Sequence, residues 1–466
     1  MRRFSIREHI PSVLVATLSS TFGVALLLAT GALTTLISAD PVTGDSHTVG
    51  LLLSIIAWVF IVIAVYVGAV VTTNTFSTII AGRTRTIALM RLIGSSAADQ
   101  RKAVAWEGFI VGAIGAIIGT ALGTALVVAM ISVGVSTDFI PSLDYRYLDP
   151  IVALPVIAVV LTTWLSSWIG SRRVLTVSPM QATGAATAQS LEEAVARKGR
   201  NAVAITLFVL GIGILLLGVA VGLVSPLGVL IGMVGGLLSF TGLILGAHLV
   251  MPPALRLVGK LFGRGASAKL AAENAVRYPE RSSRTTIGLV IGITLVTMFA
   301  VAISSYQTLL KQAAEADPTY YAGVDQVVAI TVAIFSVLTG FSALIAAVGM
   351  VNNLSLSVLQ RTRELGLLRA LGFTAKQVRG MILAESAQLT AASVLVGLVL
   401  GVFYGWAGAQ SMLGSINGSP GLIVPTVPLL LVGIVIVAAI ALTFAASAAP
   451  ARRATRVAPV VALAID

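Results

Sequence analysis

Apolar runs of about 20 residues or more, separated by short polar or basic stretches, recur along the whole chain. At 1.5 Å of rise per residue, each run crosses a ~30 Å hydrocarbon core as a helix. The pattern predicts ten spans, near residues 13–37, 50–73, 108–132, 150–170, 202–224, 227–250, 286–306, 327–351, 386–408 and 427–449. Because lipid offers no partner to backbone N–H and C=O groups, spans of this length satisfy them internally, as helices. The predicted fold class is therefore an all-α polytopic membrane protein. The run from Val13 to Ile37 follows a basic start but is too long for a secretory h-region, so a retained helix is expected.

Composition agrees with that pattern. Of 466 residues, 57% are hydrophobic and 10% charged, against about 25% charged in a soluble domain. No Cys is present, which removes disulfides, thiolate metal sites and thiol nucleophiles. The net charge of +12 takes its meaning from where it falls. Ten crossings place both termini on one side. With that side cytoplasmic, 28 of the 30 Lys and Arg lie inside and only Arg146 and Lys311 outside. The outer loops hold Asp40, Asp45, Asp138, Asp144, Asp149, Glu315, Asp317 and Asp325. Such asymmetry is what the positive-inside rule produces, so a multi-pass protein of the plasma membrane with cytoplasmic termini is expected. The basicity thus reports orientation and contact with anionic membrane lipids, and no nucleic acid partner is expected.

The chain also repeats itself. Asn74 to Glu107 aligns without gaps on Asn352 to Glu385, an offset of 278 residues, with Arg83, Thr84 and Arg85 on Arg361, Thr362 and Arg363. Leu89 falls on Leu367, Arg91 on Arg369, Gly94 on Gly372, Ala97 on Ala375, Arg101 on Arg379 and Glu107 on Glu385. Further on, Gly170 to Ala182 resembles Pro450 to Ala462 at an offset of 280, a slip of two residues. Ten transmembrane helices are therefore expected as two parallel four-helix repeats plus a two-helix insert. The boundaries read as 1–185 for the first repeat, 186–260 for a cytoplasmic linker and the insert (spans about 202–224 and 227–250), and 261–466 for the second repeat. Gly112, Gly115, Gly119 and Gly123 mark a face of the third span suited to close helix packing.

The stretch NNLSLSVLQRTRELGLLRALGFTAKQVRGMILAES (Asn352 to Ser386), the basic LAAENAVRYPERSSRTT (Leu270 to Thr286) and the PARRATRVAPVVAL tail together resemble FtsX/MacB-type ABC transporter permeases, with the second half the closer match. The resemblance implies that the second and eighth spans run on into the cytoplasm and bend into coupling segments that dock on an ATPase. The partner-binding residues it implies are Arg83, Arg85, Arg91 and Gly94 in the first repeat. In the second they are Arg361, Arg363, Glu364, Gly366, Arg369 and Gly372. The residues suit that role: Leu365, Leu368, Ala370 and Leu371 form an apolar face too short to span, opposite Arg361, Arg363, Glu364 and Arg369. Gly372 suits a helix stop, and Thr374 suits a cap for the next helix. An amphipathic helix lying on the inner leaflet is the plainer alternative.

No GxxxxGK[ST] pattern occurs, so ATP and Mg are expected on a partner ABC ATP-binding subunit, two copies per permease chain. The chain itself is expected to hold no cofactor, no metal and no catalytic residue. His9, His47 and His248 lack ligand spacing to one another, and a haem contact at His47 is outweighed by a solvated loop residue. Tyr145, Tyr147, Tyr306, Tyr320 and Tyr321 fall at outer helix ends, where an aromatic belt is the default. The expected function is a permease that exports or extracts a hydrophobic or amphipathic substrate: a lipid, a membrane-active peptide or a haem-like molecule. The loops Ser38 to Val49 and Gln307 to Gln326 are too short for the large extracellular domain of many relatives. An extracellular or lipoprotein partner, and a signalling complex that transmits motion without transport, stay open. An ion-coupled carrier is disfavoured, because no Asp, Glu, Lys or Arg falls near a midplane.

Overall fold

The computed structural model describes residues 6–39, single positions between 55 and 73, and 94–147, 149–171, 198–260, 279–316, 367–415 and 421–456, with Glu273 and Gly340. Among these, the regular structure is helical: α1 (Ile6–Ser38), α2 (Ala97–Ser136), α3 (Ala153–Gly170), α4 (Lys198–Gly222), α5 (Gly228–Leu245), α6 (Ala247–Gly259), α7 (Pro279–Ala316), α8 (Ala375–Leu413) and α9 (Leu429–Arg456), with a 3-10 turn at Pro150–Val152. Seven helices among the described residues are long and apolar enough to cross a membrane. They fall on the first, third, fourth, fifth, sixth, seventh and ninth predicted spans. The apolar part of α9, Leu429–Ala445, falls on the tenth. The described positions from Ile55 to Thr73 are helical, and the eighth span, 327–351, lies outside the described residues apart from Gly340.

Three helices are far longer than the spans predicted within them. α2, α7 and α8 have 40, 38 and 39 residues, about 60 Å each, twice a hydrocarbon core. α2 and α8 start at the equivalent Ala97 and Ala375, each eleven residues before its predicted span. About 16 Å of helix thus projects below the apolar segment in both repeats. The sixth predicted span differs in another way. α5 stops at Leu245, Gly246 caps both α5 and α6, and the chain continues as the amphipathic α6, burying Met251, Leu255 and Val258. The ring Nε2 of His248 lies 2.8 Å from Asn201 Oδ1, which ties α6 to the start of α4.

The same packing device builds both repeats. α1 lies along α2, and α7 along α8, over glycines that admit the neighbouring backbone. A Cβ on Gly119 would sit 2.5 Å from Ser20 Cβ and from the Thr17 carbonyl, and one on Gly123 2.8 Å from the Thr21 carbonyl. In the second repeat Gly397 meets Ile293 and the Val290 carbonyl, and Gly401 meets Thr297 and the Thr294 carbonyl. Gly119 and Gly397, like Gly123 and Gly401, stand in the repeat register, so the first and third helices of each repeat cross at equivalent points. α1 and α7 are also the enclosed helices, with 78% and 83% of the apolar segment buried, whereas α2, α3 and α4 bury a third or less.

The insert forms a second tight pair. Gly211, Gly218, Gly228, Gly235 and Gly242 bring α4 and α5 into backbone contact, and the pair packs on α8. One apolar core runs from α1 and the second span (Ile61, Val67) through the insert (Leu215, Phe240) to α7 and α8 (Leu295, Phe299, Tyr404). Polar pairs cross the same joints: Tyr66 Oη lies 2.8 Å from Thr241 Oγ1, and Tyr404 Oη 2.9 Å from Ser239 Oγ.

Candidate functional site

The chain enters α8 through a turn whose geometry follows from four residues. Leu367 to Ala370 make one helical turn. The Gly372 amide then donates to the Arg369 carbonyl (3.1 Å), and the Phe373 amide to the Leu368 carbonyl (3.1 Å). These paired bonds form a Schellman stop, which needs a left-handed residue at its glycine position; Gly372 has φ 101°. Phe373 and Leu368 close the motif by packing on Val378, Met381 and Ile382 of α8. Thr374 then starts α8 with a capping box: its Oγ1 accepts from the Gln377 amide (3.2 Å) and its own amide donates to Gln377 Oε1 (2.9 Å).

The first repeat has the equivalent glycine and helix cap, with different cap residues. Gly94 has φ 98°. Ser96 Oγ accepts from the Asp99 amide at 3.0 Å and donates to Asp99 Oδ2 at 2.6 Å. Asp99 lies in the first turn of α2, where a carboxylate complements the helix dipole.

What these turns present is a small apolar surface on a rigid tip. Leu367 and Leu371, four residues apart, are 51% and 71% exposed. They stand at the far end of the ~16 Å extension of α8, beyond the span predicted within it. Lys376 is exposed beside them, and Arg369 and Arg379 are half-buried. In the first repeat the Arg101 guanidinium lies 3.9 Å above the Trp168 ring and its Nη2 donates to the Trp168 carbonyl at 3.4 Å. That contact fixes the foot of α2 to the end of α3.

Of the predicted partner-binding residues, Gly94, Arg369 and Gly372 are in these turns. Arg83, Arg85, Arg91, Arg361, Arg363, Glu364 and Gly366 lie outside the described residues, as do His47, Tyr320 and Tyr321. Sequence reasoning paired Arg101 with Arg379 but missed Trp168; the signal was a Trp near the inner end of the next span, within reach of an Arg at the foot of α2. Tyr145 is buried, with Oη donating to the Pro141 carbonyl at 2.8 Å, so it holds its own loop together. Among the described residues, no group of three His, Asp or Glu is placed to hold a metal ion.

A helical, polytopic membrane protein with a duplicated module, each copy carrying a left-handed glycine two residues before the cap of its third helix, is the class this structure defines. The family model for the FtsX-like permease C-terminal region matches residues 58–179 and 336–459, and the chain belongs to the FtsX-like permease family, with the domain present twice. The two matches start 278 residues apart and end 280 apart, the same register and the same slip as the sequence repeat. The chain is 37% identical over 102 residues to the uncharacterized ABC transporter permease YknZ of Bacillus subtilis (strain 168), covering 22% of this chain and 24% of that protein. It is 33% identical over 81 residues to the macrolide export ATP-binding/permease protein MacB of Nitrobacter winogradskyi, covering 17% of this chain and 12% of that protein. The matched stretches thus span about a quarter or less of these relatives.

Proposed function

We propose that this chain is the membrane subunit of an ATP-driven transporter, in which a separate ABC ATP-binding subunit hydrolyses ATP and the permease exports or extracts a hydrophobic or amphipathic molecule. The paired turns support this reading most directly. Each repeat sets a left-handed glycine two residues before the cap of its long third helix, and such a turn on a helical foot suits a stiff lever between an ATPase and the membrane. An amphipathic helix lying on the inner leaflet has no need of a long helical foot. The names of both relatives, one an ABC transporter permease and the other an ATP-binding/permease protein, agree with the assignment. Two docking turns per chain favour one permease with two ATPase copies, both termini being cytoplasmic by the charge distribution.

Purification of the chain with its ATPase tests the assembly: a mass of one permease to two ATPase chains is expected, and two permease chains per ATPase pair overturns it. Reconstitution and a screen of ATPase stimulation with phospholipids, haem and membrane-active peptides tests transport. A flat response to all three favours the alternative in which the complex passes conformational work to an extracellular partner without moving a substrate.

A further inference from the structure

Where the first repeat, the insert and the second repeat meet, the chain leaves a cavity of about 110 Å³. The second span supplies one wall with Val59 and Tyr66, the insert another with Val229 and Gly236, and α7 and α8 the third with Thr294 and Gly408. Its course is vertical. Val229 is one residue from the start of α5 at the outer helix ends, whereas Thr294 lies eight residues into the apolar segment of α7, ~12 Å from its inner end. The cavity therefore runs from the outer helix ends to about the middle of the membrane.

Two observations bear on what fills it. The tyrosine hydroxyls on its walls are already engaged by Thr241 and Ser239, so the lining offers mainly apolar surface. Gly236 on α5 and Gly408 on α8 both line the cavity, and a Cβ on either would meet no atom within 4 Å. Neighbouring Gly235 instead packs directly on the α4 backbone. Gly236 and Gly408 thus serve no close helix approach; what they preserve is the volume. A dry apolar cavity of about 150 Å³ takes one benzene ring, so this one suits a segment of a single hydrocarbon chain and is too small for a haem or a peptide helix.

We propose that the cavity binds one acyl chain of a phospholipid drawn from the leaflet at the outer ends of α5 and α8. This rests on the permease reading and orientation given above, and it names the substrate class as lipid.

The test is photolabelling of the full chain in nanodiscs with a phosphatidylglycerol carrying an alkyl diazirine in one acyl chain. The readout needs no ATPase, so it stands or fails apart from the transport assay. Adducts on Met233 and Met298, which line the cavity, are expected, reduced about tenfold by Gly236→Leu and by Gly408→Leu. Gly213→Leu, at an exposed site on α4 whose Cβ also meets nothing, leaves them unchanged. Excess unlabelled phosphatidylglycerol added to wild-type protein competes for the same adducts, which covers the case of a filling variant that fails to fold. Adducts confined to exposed positions of α4, or undiminished in both filling variants and insensitive to competition, overturn the proposal.

Discussion

Gly94 and Gly372 adopt the same left-handed backbone, φ 98° and 101°, at equivalent points of the two repeats. A side chain in that conformation costs roughly 1–2 kcal/mol, enough to unwind a turn held by two amide bonds. Gly372→Ala is expected to leave membrane abundance unchanged but to weaken co-purification with the ATPase and to speed amide exchange at Gly372 and Phe373. Gly94→Ala does the same in the first repeat. Gly380→Ala, on the exposed side of α8 where a Cβ meets nothing, is the neutral comparison. Equal binding by all three variants removes the docking turns from the mechanism.

The glycine seams predict a stability effect with no bearing on docking. Gly119→Val forces a side chain into Ser20 and the Thr17 carbonyl, and Gly401→Val into Thr297. Overpacking of this kind costs about 1–3 kcal/mol, so both variants lower the thermal midpoint in detergent. Gly31→Ala, exposed and without a near neighbour, leaves it in place. A midpoint unmoved by Gly119→Val would mean that α1 and α2 slide freely past each other.

The seven membrane-length helices and the duplication were legible because hydrophobic length and a gapless register are local properties of the string. The stop at Gly372 and the cap at Thr374 were legible too, since each depends on neighbours within a few residues. Helix length was not: nothing between Ala97 and Glu107 is apolar enough to mark a continued span, yet helical propensity and the Ser96 cap carry α2 through it. The break at Gly246 inside an apolar run was hidden for the converse reason, that hydropathy persists where the helix does not. The cavity depends on three segments distant in sequence, and no periodicity encodes that meeting.

The two coupling segments are unequal in sequence. Thr86 occupies the position of Glu364, and Ala88 that of Gly366. A Glu on a docking surface accepts charge-assisted bonds from a partner Arg or Lys, and loss of a desolvated one costs about 2–5 kcal/mol. An intrahelical pair with Arg361 would contribute only about 0.2–0.5 kcal/mol. We expect Glu364→Ala to uncouple ATP hydrolysis from transport more severely than Thr86→Ala, measured at equal membrane abundance. Matching phenotypes sink the docking role of Glu364.

At the C-terminal end of α8, Gln410 is fully buried and clamps the loop beyond it. Its Nε2 donates to the Gly421 carbonyl at 2.7 Å, and its Oε1 accepts from the Ile423 amide at 2.6 Å. Trp406 Nε1 adds a bond to the Ile423 carbonyl at 2.9 Å. The extended segment alternates accordingly: Ile423 turns inward, while Leu422 and Val424 are 80% and 79% exposed. A second anchor holds the far end, where the Thr426 amide donates to Ser305 Oγ at 3.2 Å on α7. Gln410→Leu keeps most of the buried volume but leaves two backbone groups without partners, about 1–3 kcal/mol each while water is excluded. Amide exchange at Ile423 is therefore expected to rise by tenfold or more, with Thr426 little changed. Ser305→Ala gives the reverse, freeing Thr426 and sparing Ile423. If the two variants loosen the whole loop alike, the loop moves as one cooperative unit and Gln410 is not a separate clamp.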